Sequence, residues 1–515
     1  MTRTSRIRNV IGPRAALALA VLLGSSAACS FLVQTRSEQC EIDADCTQFN
    51  GGNAHCDLAQ HVCEPGPPCD DHGGTCVCNP TTNDDLLNAC TDAPCIPFAE
   101  SRLTKLVNGE LPPVPDASIP FTPQVFDAGT IGTSCDDLPG SKVYIVGPKS
   151  LKPFLTAIGP HLAQKNNISI VFQQTTSCDS LEAMIDQTTT LGRYGGGVSF
   201  NVDDTGGAGT PCDVLPKNGS LPLPDIGSSE TFAESCFPSF TAYPKTIVEL
   251  QGPVEAMSFV TAIGSDETVI SREAAYFVYG FGKNSGVAPW TDPTTIFQRD
   301  PTSGTENVIA ETIGVPTRLW RGQNTQSTGD ETSKLQALDK KPAAANTLGE
   351  MASNEAELAP DGGLNKLAYQ HTGQTCGYYP NSGTDPDAGD KDNVRDGHYA
   401  AWGPLHLAYR VDTSGTASNK DALTIINLIT GVSVDPEIDL VKAAADARLI
   451  PQCAMHVQRK SGDGTDMSPF KPDVSCSCYF DKLTKGSTSC TTCSTTTDCD
   501  GVAGAPNCHF GYCEP

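Results

Sequence analysis

The chain is short of positive charge: 34 Lys and Arg stand against 60 Asp and Glu, a formal net charge of −26 over 515 residues. Such a balance repels a phosphate backbone, so nucleic acid is excluded as a partner. Charged residues make up 18% and hydrophobic residues 38%, both below the usual share of a soluble globular chain. A cytosolic helical bundle is therefore not expected. Beyond Ala28 no run reaches the roughly 18 apolar residues that a spanning helix needs. Signatures of catalysis are missing too: there is no G-x-S-x-G elbow, no H-E-x-x-H pair and no Walker loop, and the nine His show no i, i+4 ligand pair. The chain is not expected to be an enzyme, and no cofactor or metal is expected. What it has in quantity is 48 Gly, 38 Pro and 23 Cys, the makings of long loops held by covalent staples.

Residues 1–28 carry Arg3, Arg6, Arg8 and Arg14 ahead of an apolar run from Ala15 to Leu23 and then small residues, the pattern of a secretory signal. Ser26-Ala27-Ala28-Cys29 resembles the lipobox of bacterial lipoproteins, which implies lipidation of Cys29 and a membrane-anchored, periplasmic or cell-surface protein. The same residues also fit ordinary signal cleavage. Lipidating Cys29 leaves an even number of thiols, free to pair in an oxidising compartment.

The thiols are unevenly spread: nine lie from Cys40 to Cys95, five from Cys135 to Cys376 and eight from Cys453 to Cys513. The two dense ends repeat one another. Cys40, Cys46, Cys56 and Cys63 are matched by Cys493, Cys499, Cys508 and Cys513; both copies have an Asp-Cys pair at the second cysteine and close on Cys-Glu-Pro. Structural disulfides are expected there rather than zinc, because the spacings match no clean four-ligand pattern. Expected boundaries are a signal at 1–28, a cysteine-rich module at 29–96, a Pro-rich linker at 97–134, a bilobal domain at 135–452 and a second cysteine-rich module at 453–515.

From Lys142 the character is that of an α/β domain. Lys142–Gly147 reads as a buried strand leading through Ser150 into a helix. Ile168–Gln173 reads as a second strand, with Thr175-Thr176-Ser177 opening another helix. A third polar corner is Pro-Asp-Ile-Gly-Ser-Ser-Glu230. The sharpest segment is Phe-Gln-Arg299-Asp-Pro-Thr-Ser303-Gly304-Thr305 before a helical run. A helix start offers unpaired N–H groups, Gly304 admits a close ligand, and Arg299 provides a planar fork suited to an oxyanion. Each corner read singly is also an ordinary helix cap.

Together these segments resemble the phosphate-binding proteins that serve ABC transporters. The resemblance covers about Lys142 to Ile450 and is carried by GPKSLKPFL, VFQQTTSCDSLEAM, PDIGSSETF and FQRDPTSGTENVIAE, the last similar to the family's Arg-x-x-x-Ser-Gly-Thr signature. It implies an α/β, two-lobed type II periplasmic-binding-protein fold, here with small disulfide-rich modules at both ends. It further implies a phosphate ligand, an ABC permease as partner, and ligand contacts from Ser150, Ser177, Glu230, Arg299, Ser303, Gly304 and Thr305. Glu230 stands where the family has aspartate; such a carboxylate accepts a proton from hydrogen phosphate but not from sulfate. Thr175-Thr176-Ser177 replaces a glycine-rich turn. Lys149 reads as an exposed lysine on a first helical turn. Cys178 is expected to brace its loop by pairing with Cys212 or with Cys236, and Cys135 to tie down the linker. The alternative function is a surface interaction protein that kept the fold and uses its cysteine-rich modules on an extracellular partner.

Overall fold

A computed structural model of the chain describes residues 54–57, 62–65, 77, 80–116, 134–186, 197–199, 209–215, 220–339, 342–359, 363–383, 388–502 and 504–515. The signal at 1–28, Cys29, and Cys40 and Cys46 of the first repeat lie outside these residues. Two compact units result: one of 80–500 with 507–515, the other of 1–79 with 501–506.

The larger unit is built on a nine-stranded sheet: β1 (Ser141–Gly147), β2 (Ile168–Gln174), β3 (Gly197–Ser199), β4 (Thr210–Cys212), β5 (Ile226–Ser229), β6 (Ile247–Thr261), β7 (Gly349–Ala352), β8 (Asn365–Lys366) and β9 (Trp402–Arg410). The spatial order is β7-β6-β9-β5-β1-β2-β3-β4, with β8 also on β6. β1 and β2 are buried over most of their length, which is why they read as unbroken apolar runs rather than alternating ones. They pair in parallel from Ser141↔Ile168 to Gly147↔Gln174, so a crossover must join them, and α1 (Lys152–Asn166) does so. α2 (Ser177–Ile185) follows β2; α3 (Arg272–Phe281), α4 (Gly304–Ile313), α5 (Thr328–Gln336), α6 (Ser353–Glu357), α7 (Lys420–Ile429), α8 (Leu440–Asp446) and α9 (Ser477–Thr484) come later.

Two hydrophobic cores grow on this sheet. One joins Val143, Ile145, Ile170 and Phe172 to Leu155 and Ile158 of α1, Ile425 of α7 and Ala444 of α8. The other joins Met257 and Phe259 of β6 to Phe277 of α3, Val308 and Ile309 of α4, and Trp290 and Trp320. Strands β6 and β9 run through both: Leu405 and Leu407 lie in the first core, Trp402 and Val254 in the second. At the crossing, β6 carries Gly252-Pro253 and β9 shifts register between Pro404 and His406, where proline cannot donate to the ladder. The chain thus adopts the mixed α/β, two-lobed class expected of it. Among the described residues no helix is long and apolar enough to cross a membrane.

Over 97–116 the stretch read as a linker packs on the larger unit. Phe98 is buried, Arg102 lies over Phe98 and Trp290 at 4.7 and 4.9 Å, and Cys95 is bonded to Cys376. The C-terminal region is held by disulfides Cys453–Cys476, Cys478–Cys490, Cys493–Cys508 and Cys499–Cys513. Cys493, Cys499 and Cys513 lie close enough to hold a metal, but all three are spent in these bonds. The repeat seen in sequence is also a repeat of backbone. Ala54–Asp57 pairs antiparallel with Val62–Pro65, with Cys56 opposite Cys63; Asn507–His509 pairs with Tyr512–Glu514, with Cys508 opposite Cys513.

Residues beyond Cys453 also enter the second core, through Met455, Val457, Met467 and Phe480. Arg459 fixes them there. Its guanidinium lies 4.3 Å over Trp402 and donates to the carbonyls of Trp402 (2.6 Å), Ala400 (2.7 Å) and Thr465 (3.1 Å). Replacing Arg459 with Met strands these carbonyls away from water and is expected to destabilise the chain by about 3 kcal/mol. The check is a lowered urea midpoint at unchanged slope; an unmoved midpoint would show that Arg459 does not hold this segment.

Candidate functional site

The sharpest sequence segment becomes a rigid turn at the start of α4. Asp300 winds it: its carboxylate accepts from Thr302 N (2.8 Å) and Thr302 Oγ1 (2.7 Å), and its carbonyl accepts from Ser303 N (2.7 Å). Asn307 locks the turn from the helix side, donating Nδ2 to the carbonyls of Pro301 and Ser303, both at 2.8 Å. Ser303 stands at the N-cap with extended backbone, yet its hydroxyl accepts nothing from the first turn. Helices α2, α3 and α5 are capped in the ordinary way by Thr176, Ser271 and Ser327. The first-turn N–H groups of α4 therefore have no side-chain cap of their own.

Ser177 is freed by its neighbour. Thr176 accepts from Asp179 N (3.2 Å) and so does the capping, which leaves Ser177 Oγ to accept from Glu230 N at 3.1 Å. Ser150, on the 3-10 turn Lys149–Leu151 that precedes α1, donates to Glu230 Oε1 at 2.6 Å. Glu230 directly follows β5. Gly304 packs against both partners: a Cβ there would stand 2.7 Å from Glu230 Cβ and 2.8 Å from Glu230 Oε2, and closer still to Ser177 Oγ. The lobes also touch through Cys178 N–H to the Thr302 carbonyl (3.1 Å) and through the ion pair of Lys149 with Glu355 on α6 (2.9 Å).

Of the seven residues predicted, the structure thus brings Ser150, Ser177, Glu230 and Gly304 into contact, and Ser303 and Thr305 are buried beside Gly304. Arg299 is near enough to act on the charge of Glu230 but is turned to other partners: its backbone N donates to Glu350 Oε1 (2.9 Å), its Nη1 to Thr328 Oγ1 (2.7 Å), and its buried Nε has no partner among the described residues. Covalent and polar braces hold the Glu230 corner. Cys178 bonds to Cys236, resolving the two expected alternatives, and Cys135 bonds to Cys212. Asp463, fully buried, accepts from Phe232 N (3.1 Å), from Ser235 Oγ (2.6 Å) and from Thr231 Oγ1.

Sequence reasoning missed the acids around this spot. Glu255 on β6, Glu306 on α4, Glu331 on α5 and Glu350 on β7 are all buried, as is Asn354 on α6. They come from five elements and form no motif; their one signal is an acid inside an otherwise apolar run, as in VEAMSF and LGEMAS. Burial pushes the carboxyls of Glu255, Glu306 and Glu350 well up. Glu331 is pushed up to about 7 by burial, opposed by Arg299 and by the Glu350 N–H it accepts at 2.8 Å. Among the described residues, Glu255 Oε2, both Glu306 oxygens, Glu350 Oε2 and Asn354 Oδ1 have no hydrogen-bond partner. Two cavities of about 610 and 470 Å³ lie elsewhere, and Val432, Gln452 and Phe470 line both.

No protein-family model and no curated protein matches the chain. Solved structures similar to it include a phosphate ABC transporter substrate-binding protein from Clostridium perfringens with bound phosphate (14% identity, TM-score 0.39, covering 60% of this chain and 99% of that one). An ABC-type phosphate transport receptor from Vibrio cholerae matches at 10% identity and TM-score 0.38, over 60% of this chain and 100% of that one. PstS from Borrelia burgdorferi matches at 14% identity and TM-score 0.34, over 60% and 98%.

Two outcomes are expected from this geometry. Gly304→Ala forces Ser177 and Glu230 aside and lowers stability by about 2 kcal/mol; a thermal melt equal to that of the parent would show that the lobes do not meet at this glycine. Stability is also expected to fall as pH rises. The acids with raised values bind more protons folded than unfolded as pH rises past the ordinary Glu value near 4.5, up to about 7 for Glu331, so unfolding is favoured by deprotonation. Melts should be higher at pH 5.5 than at pH 8.5, roughly, with the difference reduced in Glu350→Gln; the opposite trend would contradict buried, protonated acids.

Proposed function

We propose that the chain is an exported, lipid-anchored solute-binding protein that closes its two lobes over phosphate, or over a related oxyanion that still carries a proton, and delivers it to an ABC permease. The observation that supports this most directly is the start of α4. A buried helix N-terminus with no side-chain cap is a donor set for an anion, and it opens on a glycine that lies against Ser177 and Glu230 of the other lobe. Ser150 and Ser177 supply hydroxyls from the first lobe, Ser303 and Thr305 from the second, and Arg299 its guanidinium, freed from Thr328 as it turns to the ligand. Glu230 is the discriminating group. A carboxylate facing the anion is repulsive unless the ligand has an O–H to donate, which hydrogen phosphate has and sulfate at neutral pH lacks. The reading keeps the signal at 1–28 and Cys29 as the lipidation position. The protein performs no chemistry on what it binds.

A second reading, a surface interaction protein, is favoured by one feature. The 610 Å³ cavity is bordered by exposed Val432 (69%), Val434 (66%), Val474 (43%) and Phe510 (38%), so the C-terminal cysteine-rich region shares an apolar groove with the loop after α7.

Isothermal titration separates the two. Phosphate and arsenate are expected to bind and sulfate to bind far more weakly. Arg299→Ala should weaken phosphate by roughly a hundredfold, the loss of about 3 kcal/mol of charge-assisted bonding. No heat with any of the three anions would reject the transport reading in favour of the interaction protein.

A further inference from the structure

Glu230 does not stand alone. Glu255 of β6 stands opposite Gly403 of β9, and a Cβ on Gly403 would stand 2.6 Å from the Glu230 carbonyl, so Glu255 and Glu230 meet on one face of the sheet with their carboxyl groups within reach of one another. Two carboxylates cannot share a hydrogen bond unless one of them keeps its proton. Glu230 Oε1 already accepts from Ser150 Oγ at 2.6 Å, and the Glu230 side chain lies against Gly304. Glu255 is 2% exposed, interacts with Asn354 of α6, and has one oxygen, Oε2, without a partner among the described residues. The other charged groups acting on the pair are Arg299 from the turn before α4, Glu355 of α6, itself paired with Lys149, and Glu350 of β7.

We infer that Glu255 and Glu230 act as one proton-sharing carboxyl pair, and that this pair, rather than Glu230 alone, decides which protonation state of the oxyanion the pocket admits. The inference rests on the oxyanion reading of the site. Burial pushes both carboxyls up; the interaction between them adds to the rise at Glu255 and, with the Ser150 hydroxyl, opposes it at Glu230, so Glu255 is the member that holds the proton. The pair then carries a single negative charge. It presents two acceptors to a guest, the Glu230 carboxylate and the unpartnered oxygen of Glu255. A guest with two O–H groups, the monoanion of phosphate or arsenate, satisfies both and adds one negative charge. A guest with one O–H leaves an acceptor facing an anionic oxygen, and a guest with none is repelled by both. Loss of the shared proton at alkaline pH places a second full charge beside the anion and ejects it.

The test uses the full chain and inorganic phosphate, titrated calorimetrically from acid to alkaline pH in buffers of differing ionisation heat. Affinity is expected to fall with rising pH by about tenfold per unit for each proton the complex holds beyond its free components. Proton uptake on binding should be measurable, and the alkaline decline should flatten in Glu255→Gln. Phosphate that binds more tightly at alkaline pH, or a Glu255→Gln profile that parallels the parent, would overturn the inference while leaving the oxyanion reading intact. No binding at any pH would overturn both. An infrared spectrum of the unliganded chain reads the pair without any ligand. A protonated-carboxyl carbonyl band at neutral pH that loses intensity in Glu255→Gln supports the shared proton, and a band left unchanged by that substitution contradicts it.

Discussion

The structure turns on how closely a helix start can approach two side chains. Gly304 is the first residue of α4, and the space its missing Cβ leaves is taken by Ser177 and Glu230 from the other lobe. Much else serves to hold that approach. Asp300 and Asn307 fix the turn before Gly304, Thr176 does the capping that releases Ser177, and the Cys178–Cys236 bond ties α2 to the segment after Glu230. Asp463 then pins Thr231, Phe232 and Ser235 from the C-terminal region, so a stretch that looks like an appendage in sequence supports the central corner.

Electrostatics sets the second constraint. One guanidinium, Arg299, lies among Glu230, Glu306, Glu331 and Glu350, an arrangement that would be untenable if every acid were ionised in a dehydrated setting. Protonation resolves it, and protonated carboxyls are donors as well as acceptors. The chain's net charge of −26 has little bearing on this, because charges on the far surface are screened over about 8 Å at physiological salt, whereas these groups act at contact distance.

Much of the scaffold was legible because its signals are local. Buried parallel strands read as continuous apolar runs at Lys142–Gly147 and Ile168–Gln173, and the helix after Ser303 announced itself through the Ser-Gly-Thr turn; all three formed where expected. The repeat of the cysteine-rich ends was visible in spacing and reappears as hairpins with cysteines in matching register. What stayed hidden was non-local. Nothing near Glu331 or Glu350 in sequence shows that single acids from α5 and β7 meet, and nothing near Arg299 shows that its side chain leans on Thr328. The Pro-rich stretch read as a semi-extended linker because composition reports extension, not what the extended chain lies on. Phe98 and Arg102 dock on the second core through partners about 165 residues or more away, such as Glu267 and Gln370.

The most direct measurement is a crystal structure of the full chain grown with phosphate. The account predicts tetrahedral density at the first turn of α4, within hydrogen-bonding distance of the amides of Gly304 and Thr305, with Arg299 swung from Thr328 toward it and a Glu230 oxygen facing one of its hydroxyls. Density settled elsewhere, or lobes still in contact at Gly304 with no anion between them, would contradict it.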